Sequence, residues 1–78
     1  SPEPAIPPRL LDTFFVLAHA GFAQKRKTLR NSLSAGLSIS ADKAAHLLEI
    51  SGIDSQRRAE TLSISEWEKL SRAYDQKA

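Results

Sequence analysis

The sequence predicts an all-α fold: a compact bundle of about five helices, two of them short, after an extended Pro-rich leader. Three observations carry this. Apolar residues recur at steps of three and four along most of the chain, with no alternating stretch of useful length and no internal repeat. All four prolines fall at positions 2, 4, 7 and 8, so nothing after Pro8 obliges a helix to break. The chain has 78 residues and no cysteine, which leaves well-packed helices, not a disulfide, to stabilise so small a core.

The leader covers residues 1–8 and the domain proper residues 9–78. Between Arg9 and Gln24 two apolar series run side by side, Leu10, Phe14, Leu17, Gly21 and Leu11, Phe15, Ala18, Phe22. A helix apolar over so much of its circumference is expected at the centre, with neighbours on more than one side and its aromatics in the core. A second helix is expected from about Lys27 to Ser34, where Leu29, Leu33 and Leu37 recur every four residues. Gly36 and the Ser-rich stretch 34–40 mark its end. Ser40 then reads as the N-cap of a helix over Ala41 to Ser51, with Ala44, Leu47, Leu48 and Ile50 on its buried side and Gly52 as its stop. Asp54 or Ser55 is placed to cap a short helix through Gln56, Arg57, Arg58 and Ala59. The last helix has the clearest entry: Ser63 followed three residues later by Glu66 matches a capping box, and Ile64, Trp67, Leu70 and Tyr74 continue at helical spacing.

Net charge is only +2, but its distribution is uneven. No acid lies between Asp12 and Asp42, while Lys25, Arg26, Lys27 and Arg30 fall close together. Continued as a helix, Arg26, Arg30, Ser34, Lys27 and Asn31 would share an arc of roughly 140°, with Leu29 and Leu33 turned the other way. Cations on such a face attract phosphates by releasing condensed counterions, while Gln24 and Asn31 can hydrogen-bond ribose or bases. RNA or DNA is the partner class this implies. The bland alternative is a solvated face whose charges pair with Glu49, Glu60, Glu66 or Glu68. No aromatic lies inside the basic segment, so base stacking is not implied there.

Other chemistry is poorly supplied. Gly21, Gly36 and Gly52 are isolated, so there is no glycine-rich phosphate loop. His19 and His46 lie far apart without a thiol between them, and both read as surface or boundary residues rather than ligands or bases. Arg57 and Arg58 with Glu60 suit a local ion pair or a turn anchor. No apolar run is long enough to cross a membrane and no signal peptide is visible. The sequence contains no Met and begins Ser1-Pro2, which reads as a fragment or processed product. Absence of cysteine fits a reducing, cytoplasmic setting, and a monomer is expected because no exposed apolar stripe stands out.

The run Phe22-Ala23-Gln24-Lys25-Arg26-Lys27-Thr28-Leu29-Arg30-Asn31-Ser32-Leu33 resembles a signature of the small-subunit rRNA adenine dimethyltransferases, the kasugamycin-sensitivity family. Gly52-Ile53-Asp54, then Arg58-Ala59-Glu60-Thr61-Leu62-Ser63 with Glu66-Trp67 and Leu70, look like the rest of the family's C-terminal pattern in the same order. The resemblance runs from about Leu10 to Tyr74 and corresponds to the helical domain that follows the methyltransferase core. The family often carries Arg where Lys25 stands. The Lys27-Thr28-Leu29-Arg30-Asn31 run is closer to this small-subunit branch than to the related erythromycin-resistance enzymes.

The resemblance implies a parent enzyme that moves methyl groups from S-adenosylmethionine to two adjacent adenines near the 3′ end of small-subunit rRNA. The catalytic domain and its cofactor loop are not in this sequence, so no catalytic or cofactor residue is assigned to it. The expected RNA-facing set is Gln24, Lys25, Arg26, Lys27, Arg30 and Asn31, with Thr28, Leu29 and Leu33 seating the segment on the core. The implied partners are small-subunit rRNA or a pre-ribosomal particle, together with the N-terminal methyltransferase domain. One alternative is an intramolecular brace or protein-interaction module that does not touch RNA. Another is a DNA-binding helix-turn-helix around Gly52, where the recognition positions are not distinct base-edge readers.

Overall fold

The computed structural model describes residues 6–24 and 26–77, and these form an all-α bundle. Pro7 has φ −58° and ψ 145°, and Pro8 then opens a single 3-10 turn, Pro8–Leu10, closed by Leu10 N donating to Pro7 O at 2.8 Å. Proline suits that place because its missing N–H would go unused in a first turn and its φ is already helical. The turn runs straight into α1, Leu11–Phe22. Ile6, from the expected leader, packs against the core, and residues 1–5 lie outside the described residues.

Both apolar series of α1 are expected under neighbours, and only one is covered. Leu10, Leu17, Ala20 and Gly21 are buried and Phe14 is half-buried, whereas Leu11, Phe15, Val16 and Phe22 are exposed, Phe15 by 61%. α1 does have neighbours on more than one side, packing on α2, on α4 and on both 3-10 turns. The covered side is Leu10, Leu17, Ala20 and Gly21, while Leu11 and Phe15 face outward and Phe22 lies against Trp67 with 44% of its surface exposed.

α2 spans Leu29–Leu37, starting and ending later than the expected Lys27 to Ser34 and matching the Leu29, Leu33, Leu37 series end to end. Gly36 lies inside the helix instead of ending it. A Cβ there would stand 2.4 Å from Ala20 Cβ, so this glycine lets α1 and α2 approach backbone to backbone. One turn earlier the buried Ser32 hydroxyl bonds Gly21 O at 3.0 Å and Ala20 O at 3.2 Å, meeting carbonyls that the end of α1 leaves open. α2 ends at Ser38, in the left-handed region at φ 57°, where Ile39 N donates to Ser34 O at 3.1 Å.

α3, Ala41–Ile50, begins as expected: the Ser40 hydroxyl accepts from Lys43 N at 3.1 Å. It ends in a Schellman motif on Gly52 at φ 74°, with Gly52 N donating to Glu49 O at 3.0 Å and Ile53 N to Leu48 O at 2.9 Å. Ile50, expected inside, is 49% exposed. At about 100° per residue it lies well round from Ala44, Leu47 and Leu48, and Ser51 takes the fourth inward place. Ser51 is accordingly buried and donates its hydroxyl to Leu47 O at 2.8 Å.

The short helix expected over Gln56–Ala59 is displaced. Asp54 Oδ1 accepts from Gln56 N at 2.9 Å, which turns the chain without starting a helix, and a 3-10 turn follows at Ala59–Thr61. α4, Ile64–Lys77, opens on the expected capping box: Glu66 N donates to Ser63 Oγ at 3.2 Å and Ser63 N to Glu66 Oε1 at 2.9 Å. Trp67 and Leu70 enter the core with Leu17, Ala20, Leu29, Leu33, Ala44, Leu47, Leu48, Ile53 and Ala59. Phe14 meets Trp67 edge-on at 6.1 Å and Phe22 stacks on it at 5.8 Å. Among the described residues no helix is long and apolar enough to cross a membrane, and no group of His, Asp and Glu is placed to hold a metal.

Candidate nucleic-acid interface

The basic segment is a turn, not a helical arc. Gln24, Arg26 and Lys27 are exposed in the connection between α1 and α2, where Lys27 N donates to Gln24 O at 3.0 Å. Lys25 lies outside the described residues. Only Arg30 and Asn31 stand on α2, Arg30 half-buried and Asn31 exposed. The expected arc joining Arg26, Lys27, Arg30, Asn31 and Ser34 on one helix is therefore corrected: its first members precede the helix.

The cause is a cap from elsewhere in the chain. Leu29 N donates to Arg57 O at 2.8 Å and Arg30 N to Ser55 O at 3.3 Å, so the 55–57 turn satisfies the opening N–H groups of α2 and fixes its start. Thr28 sits extended before it, at φ −68° and ψ 160°, with its hydroxyl buried and not used as a cap. Leu29 and Leu33 are fully buried, as expected of the residues that seat this segment.

The neighbouring charge is one-sided. The first turn of α2 holds no acid. Among the described residues, ion pairs join Arg57 to Glu66 and Arg72 to Glu68, His46 Nδ1 lies 4.0 Å from Glu49 Oε1, and none of these contacts involves Arg26, Lys27 or Arg30. Of the acids expected to pair with the basic segment, Glu66 and Glu68 are held by Arg57 and Arg72, and Glu49 and Glu60 are exposed. Arg30 Nε is a buried donor without a hydrogen-bond partner among the described residues.

Arg57 anchors a turn, as expected, but its acid is Glu66 and not Glu60. Its guanidinium grips both Glu66 carboxylate oxygens, and Nε bonds Thr61 Oγ1 at 3.2 Å. That hydrogen-bonded guanidinium, with the Ser63 N–H, holds the Glu66 carboxyl down at about 2, and Glu66 in turn raises Arg57. Arg58, the next residue, is exposed and has no ion pair among the described residues. Its nearness to the basic turn depends on long-range backbone pairing, which no local motif discloses.

Outside this region the surface offers little chemistry. Both histidines are exposed, as expected. A shallow depression is lined by Ala45, Glu49, Ile53, Asp54 and Ser55. The exposed stripe Leu11, Phe15 and Phe22 on α1, with half-buried Ala18 between them, runs against the expectation that no such stripe is present.

No protein-family model matches the chain. It is 56% identical over 61 residues to a ribosomal RNA small subunit methyltransferase A of Dehalococcoides mccartyi, an alignment covering 78% of this chain and 21% of that protein. Proteins of the same name align from Pelotomaculum thermopropionicum, at 43% identity over 94% of this chain and 25% of the relative, and from Nostoc punctiforme, at 47% over 82% and 21%. The chain spans about a fifth to a quarter of the length of these relatives. It belongs to the ribosomal RNA small subunit methyltransferase A family, aligning as a C-terminal segment of that family would.

Proposed function

We propose that this chain is the rRNA-docking part of a small-subunit rRNA adenine dimethyltransferase, placing a separate catalytic domain on the immature small subunit. The observation that carries this is the turn at Gln24–Lys27, continued by Arg30 and Asn31, where several cations lie together without an acid paired to them among the described residues. Such a surface binds phosphodiester backbone chiefly through counterion release, and its exposed amides add hydrogen bonds to sugar or base. Folded rRNA is recognised largely by shape and backbone, so little sequence preference is expected of the chain alone.

S-adenosylmethionine does not fit the residues present. Gly21 packs against Trp67 and Leu29, Gly36 against Ala20, and Gly52 ends α3, so none of the three cradles a ligand. The methyl donor belongs to the catalytic domain proposed to accompany this chain.

The experiment is binding of the chain to small-subunit rRNA and to the immature particle across a salt series, beside a variant with Arg26, Lys27 and Arg30 all changed to Ala. Affinity that falls with salt, with a slope reduced by about two to three units in the variant, supports the role. Unchanged binding by the folded variant overturns it.

A second reading is favoured by the α1 stripe: the chain also braces the catalytic domain by burying Leu11, Phe15 and Phe22 against it. A contiguous exposed apolar face of this kind is uncommon on a free-standing protein. Replacing Phe15 by Ser in the full-length enzyme should then loosen the two domains, seen as faster proteolysis between them, with RNA affinity of the isolated chain unchanged.

A further inference from the structure

The turn that caps α2 is held in place by polar contacts at its centre. Ile53 and Ala59 bury its two ends, but residues 54–58 between them are half-buried or exposed. Asp54 O accepts from Arg57 N at 3.1 Å and Asp54 Oδ1 from Gln56 N at 2.9 Å, which closes the turn on itself without fixing where it stands. Arg57 fixes that in two directions. Its carbonyl accepts from Leu29 N at 2.8 Å, beside Ser55 O, which accepts from Arg30 N at 3.3 Å. Its guanidinium reaches the other way, donating to both carboxylate oxygens of Glu66, to Thr61 O and, through Nε at 3.2 Å, to Thr61 Oγ1. A forked guanidinium–carboxylate pair constrains orientation as well as distance, so the opening of α2 is tied to the opening of α4 in one geometry.

That geometry decides how the cations are presented. Thr28 stands extended before α2 and its buried hydroxyl caps nothing, so the first N–H groups of the helix rely on the carbonyls of Ser55 and Arg57. Arg30 and Asn31 lie in the turn of helix so capped, and Gln24, Arg26 and Lys27 shortly precede it. With those carbonyls withdrawn, the N–H groups must find partners in the Thr28 hydroxyl or in a further helical turn through the basic run. Either change re-aims the cations.

We propose that Arg57 and Glu66 are positioning residues of the docking surface: without touching RNA, their ion pair holds the 55–57 turn where it starts α2 at Leu29 and keeps the basic segment a turn. This rests on the rRNA-docking role proposed above. It assigns a part in RNA binding to an acid, and the sign of its effect separates positioning from charge. Removing Glu66 makes the chain more positive, which by charge alone strengthens RNA binding. Positioning requires that it weaken binding, as removing Arg57 does.

The test measures binding of Arg57→Ala, Glu66→Gln, Ser63→Ala and the Arg26, Lys27, Arg30 triple-alanine variant to small-subunit rRNA over a salt series, with amide hydrogen exchange on each free chain. Ser63→Ala controls for stability, because it removes a cap bond from α4 and leaves the Arg57 contacts in place. Arg57→Ala and Glu66→Gln are each expected to weaken binding by about two- to fivefold with the salt slope of the parent. Exchange at the Leu29 and Arg30 amides should quicken in both, by roughly tenfold in Arg57→Ala, and Ser63→Ala should change neither binding nor those amides. Tighter binding by Glu66→Gln together with a slope lowered by roughly one unit in Arg57→Ala makes Arg57 a charge contact and overturns the proposal. An equal loss in all three single variants shows a general stability effect and overturns it as well. If Arg57→Ala and Glu66→Gln bind as the parent does while the triple variant is weakened, the positioning role fails and the docking role stands. A triple variant that binds unchanged overturns both.

Discussion

Arg57 and Glu66, nine positions apart, are joined by a forked ion pair in which both carboxylate oxygens are engaged by the guanidinium. The pair couples three local structures. Glu66 closes the capping box of α4, the Arg57 guanidinium holds Thr61 at the end of a 3-10 turn, and the Arg57 carbonyl accepts the first N–H of α2. A salt bridge at the surface ordinarily adds little, but one that also completes a helix cap and fixes a turn supports each of them.

The consequence is a stability that depends on acid. The Glu66 carboxyl lies at about 2 in the folded chain, below its ordinary value of 4.5, so folding favours its charged form. That contribution is fully present above pH 4.5 and is lost as pH falls through about 2. Glu66→Gln keeps the hydrogen-bonding shape of a capping box without the charge. It should therefore be less stable than the parent at pH 7, with the gap closing between pH 4.5 and 2 in urea unfolding followed by circular dichroism. A gap that does not change with pH shows that the charge of Glu66 does not matter to the fold.

Gly36→Ala tests whether the α1–α2 crossing depends on close approach at this glycine. In an isolated helix the change should stabilise by about 1 kcal/mol. Here the new methyl meets Ala20 Cβ at 2.4 Å and Ala20 Cα at 2.7 Å, and the latter is backbone that cannot swing away. Overpacking of this kind costs about 1–3 kcal/mol, so net destabilisation is expected in chemical denaturation. Ala20→Gly in the same chain should recover part of the loss, because it removes the nearer atom and leaves the clash with the α1 backbone.

What can be read from the sequence, and what cannot, separates by range. The Ser40 cap, the Ser63–Glu66 box and the Gly52 stop each depend on residues within a few positions, and all three are found where expected. The start of α2 depends on carbonyls from residues 55 and 57, so the helix begins at Leu29 and not near Lys27 as the basic run suggests. Gly36 reads as a breaker because a sequence does not show that Ala20 lies opposite it. Periodicity likewise finds two apolar series on α1 without showing that the bundle covers just one. In the basic segment the residue types are legible, but the shape that presents them is not. Arg57 reads as a local partner for Glu60 because a sequence does not show that the turn brings its guanidinium to Glu66 instead.

Two helix ends allow the cost of a left-handed residue to be measured in both directions within one fold. Gly52, at φ 74° with no atom within 4 Å of where a Cβ would stand, has space for a side chain but an unfavourable backbone for one. Gly52→Ala should then destabilise by about 1 kcal/mol through backbone conformation alone. Ser38 ends α2 at φ 57° and ψ 43°, exposed and already bearing the strain that Gly52 avoids. Ser38→Gly should stabilise, by up to about 1 kcal/mol, less the greater freedom that glycine gives the unfolded chain. Thermal unfolding of the two variants should shift in opposite directions from the parent. A fall in both would mean that the Ser38 side chain contributes to the turn more than its backbone conformation costs.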